Sequence, residues 1–244
     1  MKRILITNDD GIQGKGLYYL AEFAQTLGEV TVVAPVEERS ACSQSIIIRR
    51  PIELKKTDLL QPLNVEAYTL DSMPADCVRI ALNKLGRFDL VLSGINNGYN
   101  TGHYISYSGT CSAIFEASYE GVPAIGFSCD IGLMKEASKE LPRIFEFLDE
   151  HDVLSACPLL NINIPPNFRD FRITRQKLEY LCDTFVPCGN GAFKAEIHLD
   201  EWLKRERDLR DDMDAFFENY CSITPLHVDR TDHEAYEKLQ VLNR

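Results

Sequence analysis

Arg3-Ile4-Leu5-Ile6-Thr7-Asn8-Asp9-Asp10-Gly11 is the stretch that decides the fold. A short apolar run, read as a buried strand over Ile4 to Ile6, stops at two adjacent carboxylates followed by glycine. In an open α/β sheet, ligands sit in the crevice beyond the carboxyl ends of the strands. Two aspartates at such a place suit a hard cation, because carboxylate oxygens favour Mg²⁺, Mn²⁺ or Ca²⁺. The same residues also suit a plain strand-to-helix turn, with Asp10-Gly11 as turn residues and an acidic cap on the next helix. On these residues alone both readings stand.

Working outward, Leu17, Leu20, Ala21, Ala24 and Leu27 recur at helical spacing until Gly28. Val30 to Ala34 is a second strand closed by Pro35, which completes a βαβ unit with parallel strands and a right-handed crossover. The glycines of the intervening loop, Gly11, Gly14 and Gly16, form neither G-x-G-x-x-G nor a P-loop, which argues against a dinucleotide or Walker site. Ile46 to Ile48 and Ile52 to Leu54 flank Pro51 and suggest an antiparallel excursion. Further strands are expected at Val65–Leu70, Phe88–Ser93, Val122–Phe127 and Leu159–Ile164. Helices are expected from Pro74, over Cys111–Tyr119, and over Leu133–Leu148 with a break at Pro142. The alternation stops at Pro165-Pro166. A last strand, Ser222–Leu226, and a terminal helix, His233–Leu242, return to the core. The class is therefore α/β in a single domain, 1–244, with its core at 1–165 and 222–244. A hairpin arm at about 166–221 lies outside the core sheet and serves assembly.

Composition narrows the function. A chain of 244 residues that is 45% hydrophobic has the core of one large α/β domain. A formal charge of −11 argues against a nucleic-acid polymer as partner, since such grooves are basic. Small phosphate-bearing substrates remain open, because a bound cation neutralises them locally. Eight cysteines without a C-x-x-C pair read as reduced, mostly buried thiols of a cytoplasmic protein rather than a zinc site or disulfide framework. Lys2-Arg3 is followed by only three apolar residues, so no signal peptide is expected, and no membrane span either.

Three βα loops then return to one sheet edge with oxygen donors: Asp9 and Asp10, Ser40 after Pro35, and Asn96 in the stretch Gly94–Gly102. Ser108-Gly109-Thr110 opens the next helix, where N–H groups and hydroxyls suit either a phosphate or a plain N-cap. A hard cation beside a phosphate cradle suits metal-assisted phosphoryl hydrolysis. His103 lies in the loop after Asn96, where a surface or structural role is favoured over contact with substrate, and Arg39 and Arg175 read as phosphate partners or as salt-bridge residues.

A series of motifs in order covers nearly the whole chain. They are Thr7-Asn8-Asp9-Asp10-Gly11, Val33-Ala34-Pro35 with Glu38-Arg39-Ser40-Ala41, and Pro74-Ala75-Asp76-Cys77-Val78. There follow Ser93-Gly94-Ile95-Asn96 with Gly98 and Asn100, and Tyr107-Ser108-Gly109-Thr110. Leu160-Asn161-Ile162-Asn163-Ile164-Pro165, Thr174-Arg175-Gln176 and Ser222-Ile223-Thr224-Pro225-Leu226 complete it. Together these resemble the survival protein SurE family of metal-dependent nucleotidases. The resemblance implies a Rossmann-like, mostly parallel sheet flanked by helices, with a C-terminal arm exchanged between the subunits of a homodimer, or within a tetramer. It implies that Asp9, Asp10, Ser40 and Asn96 hold one divalent cation, Mg²⁺ or Mn²⁺. It implies hydrolysis of nucleoside 5′-monophosphates, or 3′-monophosphates, to nucleoside and phosphate.

Asn8, Asn100, Ser108, Gly109 and Thr110 are then expected near phosphate and substrate, with Asp9 or Asp10 orienting or deprotonating the attacking water. A covalent role for Asp9 is the rival, and the adjacency of the two aspartates argues against it, since aspartyl-phosphate enzymes favour Asp-x-Asp. The alternatives in function are a non-catalytic nucleotide- or metal-binding regulator and an exopolyphosphatase. Ser72-Met73 and Asn219 depart from the family pattern. Asn219 stands at a usual glycine position, where asparagine tolerates left-handed backbone.

Overall fold

The structure is a computed structural model, which describes residues 1–178, 183–197 and 204–243. Cys182 and His198 lie outside the described residues. The apolar runs form the strands β1 (Lys2–Thr7), β2 (Gly28–Pro35), β3 (Leu54–Lys56), β4 (Glu66–Leu70), β5 (Leu90–Asn97), β6 (Ala124–Cys129) and β7 (Leu159–Ile164). Between them run helices α1 (Lys15–Ala24), α2 (Pro74–Lys84), α3 (Gly109–Tyr119), α4 (Met134–Lys139), α5 (Leu141–Glu150) and α6 (Val153–Ala156). The chain continues through β8 (Phe171–Ile173), β9 (Asp183–Gly189), β10 (Ala192–Ile197), α7 (Asp212–Phe217), β11 (Cys221–Pro225) and α8 (His233–Leu239).

Nine strands make one sheet in the order β3-β4-β2-β1-β5-β6-β7-β11-β8. From β4 to β7 all neighbours are parallel. Such strands are covered on both faces, and their continuous apolar runs reflect it. One face packs on α1, α4 and α5 through residues such as Leu17, Leu20, Ile144 and Phe127. The other packs on α2 and α3 through Val78, Ala81, Ile114 and Ala117. The order reverses between β1 and β5, and a crevice at the carboxyl ends of those two strands is where an open α/β sheet binds ligands. α1 lies hard against β5 there: a Cβ on Gly16 would sit 1.9 Å from the Ile95 carbonyl oxygen.

Several sequence expectations need correction. β5 does not stop at Ser93. It shifts register and runs on, pairing Asn96 with Ser128 and Asn97 with Cys129, so Asn96 sits on the strand end and not in a long loop. α1 ends at Ala24, and Gly28 opens β2 instead of closing the helix. Ile46 to Ile48 form no strand, and the antiparallel excursion is only β3 against β4.

The arm is also shorter than 166–221. Phe168 is buried, and Phe171 stacks on Phe147 with ring centroids 4.2 Å apart. That apolar contact keeps β8 on the core, where it pairs parallel with β11 as the edge strand. α7 is buried along most of its length. What remains apart from the main sheet is the two-stranded hairpin β9–β10. Asn219 does adopt the left-handed region, with φ of 63°. The seven described cysteines are unpaired thiols. Among the described residues no helix is long and apolar enough to cross a membrane.

Candidate active site at the β1–β5 crevice

Beyond Thr7 the chain turns sharply, and the turn is locked from several sides. Asn8 Nδ2 donates to the Gly11 carbonyl at 2.9 Å, as does the Gly14 N–H. Gly11 has φ +86°, which a side chain would oppose. The Ile12 N–H donates to the Pro35 carbonyl at 2.8 Å. The Arg39 N–H donates to the Asp9 carbonyl at 2.7 Å. The loop carrying Ser40 is thereby tied to the aspartate pair through the backbone.

Asp9 is 3% exposed, and the start of α3 holds it. Thr110 Oγ1 donates to Asp9 Oδ1 at 2.7 Å, and the backbone amides of Gly109 and Thr110 also favour its charged form. Helix N-termini stabilise anions in this way. Burial nevertheless outweighs these contacts and raises the Asp9 carboxyl above the ordinary aspartate range. Asp10 is pushed up to about 6, first by burial and then by the charges of Asp9 and Glu38, with the Asn97 amide opposing. Its Oδ2 is buried without a hydrogen-bond partner among the described residues.

The two neutral donors differ. Asn96 is half-buried and turns its Nδ2 to the Gly98 carbonyl at 2.7 Å, which leaves Oδ1 as an acceptor. Ser40 is exposed and donates to Glu38 Oε1 at 2.7 Å. Two adjacent carboxylates thus lie at the sheet switch point with no ion-pair partner among the described residues. Buried charge of this kind needs a counter-charge. Oxygen donors without thiol or imidazole fit a hard cation such as Mg²⁺ or Mn²⁺. Among the described residues no group of three or more His, Cys, Asp or Glu gathers to hold a metal, and this site offers two carboxylates with neutral oxygen donors.

The expected phosphate residues divide. The start of α3 is not an open cradle, because the Asp9 carboxylate fills it. A hydroxyl has one proton, and that of Thr110 goes to Asp9, so it cannot also donate to a phosphate. Ser108 caps α3 by accepting from the Cys111 N–H at 3.0 Å. Gly109 is the place of closest approach: a Cβ there would lie 2.6 Å from Asp9 Cβ and 2.8 Å from Asp9 Oδ2.

Asn8 shapes the turn. Asn100 is 7% exposed and belongs to an amide network, donating to Ser128 Oγ at 2.8 Å while its carbonyl accepts from Asn161 and Asn163. The His103 ring lies 4.4 Å from that of Tyr104. Arg175 lies just after β8, paired with Asp211 at 2.7 Å, and Arg39 Nη2 pairs with Glu37 at 2.9 Å. Sequence reasoning missed Cys42, whose Sγ would lie 3.0 Å from the same Gly109 Cβ, and Glu38, which faces Ser40 and Asp10. The spacing of Glu38 two residues before Ser40 was a usable signal; nothing in the sequence marked Cys42.

The chain is similar to known proteins over nearly its whole length. The family model described as "Survival protein SurE" matches residues 4–182. Proteins named 5′-nucleotidase SurE are 37% identical in Caldanaerobacter subterraneus subsp. tengcongensis, over 97% of this chain and 95% of that protein. One from Thermoanaerobacter sp. strain X514 is also 37% identical, over 99% and 97%. The crystal structure of SurE from Aquifex aeolicus superposes with a TM-score of 0.83 at 29% identity, covering 99% of this chain and all of that one. The chain belongs to the survival protein SurE family.

Proposed function

We propose that this chain is a metal-dependent phosphomonoesterase that hydrolyses nucleoside 5′-monophosphates to nucleoside and phosphate. The observation that carries the reading is the pair of carboxylates, Asp9 buried and Asp10 half-buried, without an ion-pair partner among the described residues, at the β1–β5 switch point. Relatives of this length and identity that are named 5′-nucleotidases support the substrate class. Asp9, Asp10, Ser40 and Asn96 would hold one Mg²⁺ or Mn²⁺. When bound, such a cation polarises a phosphoryl oxygen, lowers the pKa of water and neutralises transition-state charge.

The chain's own residues do the rest. Thr110 and the first turn of α3 fix Asp9, so it serves as an anchor. Asp10, whose Oδ2 has no hydrogen-bond partner among the described residues, orients the attacking water and takes its proton. Asn96 and Ser40 add oxygen without negative charge that would repel phosphate. Ser108 donates to the phosphate. Water attacks phosphorus directly, the P–O bond to the nucleoside breaks, and the proton taken by Asp10 passes to the leaving oxygen.

The test is a panel of 5′- and 3′-monophosphates and short polyphosphate, assayed with Mg²⁺, Mn²⁺ and EDTA. Metal-stimulated release from 5′-monophosphates, abolished by EDTA, is the expected result. Tight nucleotide binding without turnover would replace this reading by the regulator, and faster release from polyphosphate by the exopolyphosphatase. A second prediction concerns Gly109→Ala. The added methyl displaces Asp9, so kcat/KM should fall by about 10²-fold, as misplacement by an ångström does. Melting should fall by only about 1–3 kcal/mol of stability. Unchanged kcat/KM would remove Asp9 from the site.

The arm is proposed to join two copies into a homodimer. In support, β9 and β10 set Phe193 opposite Pro187 and Ala195 opposite Phe185. Phe185 is 69% and Phe193 62% exposed, an apolar face that calls for a cover. A cytoplasmic setting is supported by the unpaired thiols.

A further inference from the structure

The loop that follows β5, from Gly98 to Ser108, is seated on the stem of the arm, and Gly102 is the point of contact. Its N–H donates to Asp212 Oδ2 at 2.9 Å, and its carbonyl accepts from Gln176 Nε2 at 2.8 Å. Asp212 is fully buried. Its other oxygen accepts the N–H groups of Lys177 at 3.0 Å and Met213 at 2.7 Å. The fit is close: Gly102 has φ +56°, and a Cβ there would lie 3.1 Å from the Lys177 carbonyl oxygen and 3.3 Å from Met213 Cε.

Aromatic packing holds the same loop. The Tyr99 ring lies 5.2 Å from Phe216 and 5.3 Å from Phe217, both on α7, and 6.2 Å from Tyr104. The two stems of the arm are themselves joined: the Arg175 N–H donates to the Arg210 carbonyl at 2.8 Å, and the Asp212 N–H to the Arg175 carbonyl at 3.0 Å. A buried carboxylate is tolerated only when its hydrogen bonds are met. Asp212 meets them with three backbone N–H groups from three separate places: the loop, the outgoing stem and α7.

The ends of this loop are where the chemistry lies. Asn96, on β5, lies just before one end, and at the other is the start of α3 that grips Asp9. We propose that Asp212 and Gln176 are positioning residues, which hold Gly102 and through it set Asn96 and the start of α3. The state of the arm is thereby coupled to the site, because a displaced stem releases Gly102. Neither residue touches substrate. The inference rests on the nucleotidase reading for its kinetic readout only, since the seating of the loop is measured separately.

The test compares Gln176→Leu and Asp212→Asn with wild type. Hydrogen–deuterium exchange is followed peptide by peptide, and kcat and KM are measured with a nucleoside monophosphate and Mn²⁺. Arg175→Ala is the control, because it removes the ion pairs of a largely exposed side chain to Asp208 and Asp211 and leaves both hydrogen bonds of Gly102 in place. Losing one such hydrogen bond corresponds to roughly 5- to 50-fold in an equilibrium. Exchange over residues 98–108 should therefore rise by about 5- to 50-fold in both variants. The central strands β1, β5 and β6 should exchange as before, and kcat should fall by about as much, with KM changed less than about twofold. Arg175→Ala should match wild type in the loop. Unchanged loop exchange overturns the proposal. So does acceleration spread evenly over the sheet, which marks general destabilisation, and so does faster loop exchange with kcat intact. Should Asp212→Asn fail to fold, Gln176→Leu decides alone. Absence of turnover in wild type would count against the nucleotidase reading, while the exchange data would still judge the seating of the loop.

Discussion

Asp9→Asn is expected to lower kcat by about 10²–10³-fold, the range for loss of one preorganised electrostatic contact. The fold should survive the change. Asn keeps an oxygen at Oδ1 for the Thr110 hydroxyl, so the link between β1 and α3 is retained. The substitution also removes a buried negative charge beside Asp10, whose carboxyl already suffers from that neighbour. The metal-free variant should therefore melt at or above the wild-type temperature. Activity and thermal stability then move in opposite directions, which simple unfolding cannot produce. Kinetics with a nucleoside monophosphate and calorimetry on metal-free protein measure the two. Full activity in the variant, or loss of activity together with a large fall in melting temperature, would count against Asp9 as an anchor for the cation.

Gly16→Ala should produce the largest loss of stability in the core. The methyl would sit 1.9 Å from the Ile95 carbonyl oxygen and 2.8 Å from its carbon, and both are backbone atoms of a central strand. Neither can move without shifting β5, so α1 must lift off the sheet. Overpacking of this kind typically costs about 1–3 kcal/mol, and a clash with fixed backbone belongs at or above the top of that range. Because Ile95 precedes Asn96, the displacement also reaches the site. Denaturant unfolding should show a loss of about 3 kcal/mol or more. An unchanged midpoint would mean that α1 does not press on β5 as described.

The fold was legible because buried parallel strands read as apolar runs and each ends in a distinct turn residue. β1, β2, β6 and β7 were found in this way, and with them the edge on which Asp9 and Asp10 lie. Local register was not legible. Nothing in Ser93-Gly94-Ile95-Asn96-Asn97 announces that the strand resumes after a shift, because glycine and asparagine are turn residues in most settings. The site was legible as residue types and not as contacts. Thr110 was read as a phosphate donor because helix starts bind anions. The rule holds, but the anion is the Asp9 carboxylate, which only the tertiary structure brings there. Past Pro165, the pattern breaks that suggested a free arm arise partly from β8, an edge strand of three residues. So short a strand carries little periodicity, and Phe168 and Phe171 tie it to the core through stacking that spacing does not reveal.

The central claim is that the carboxylates at the end of β1, with Asn96 from β5 and Ser40 from the loop after β2, hold a single divalent cation. Titration of the metal-free chain with Mn²⁺, followed by electron paramagnetic resonance, tests it most directly because it needs no substrate. The account predicts one Mn²⁺ per chain in wild type, displaced by Mg²⁺, and binding weakened at least about tenfold in both Asp9→Asn and Asn96→Ala, as loss of one charge or one ligand implies. One Mn²⁺ bound with unchanged affinity in either variant would contradict it.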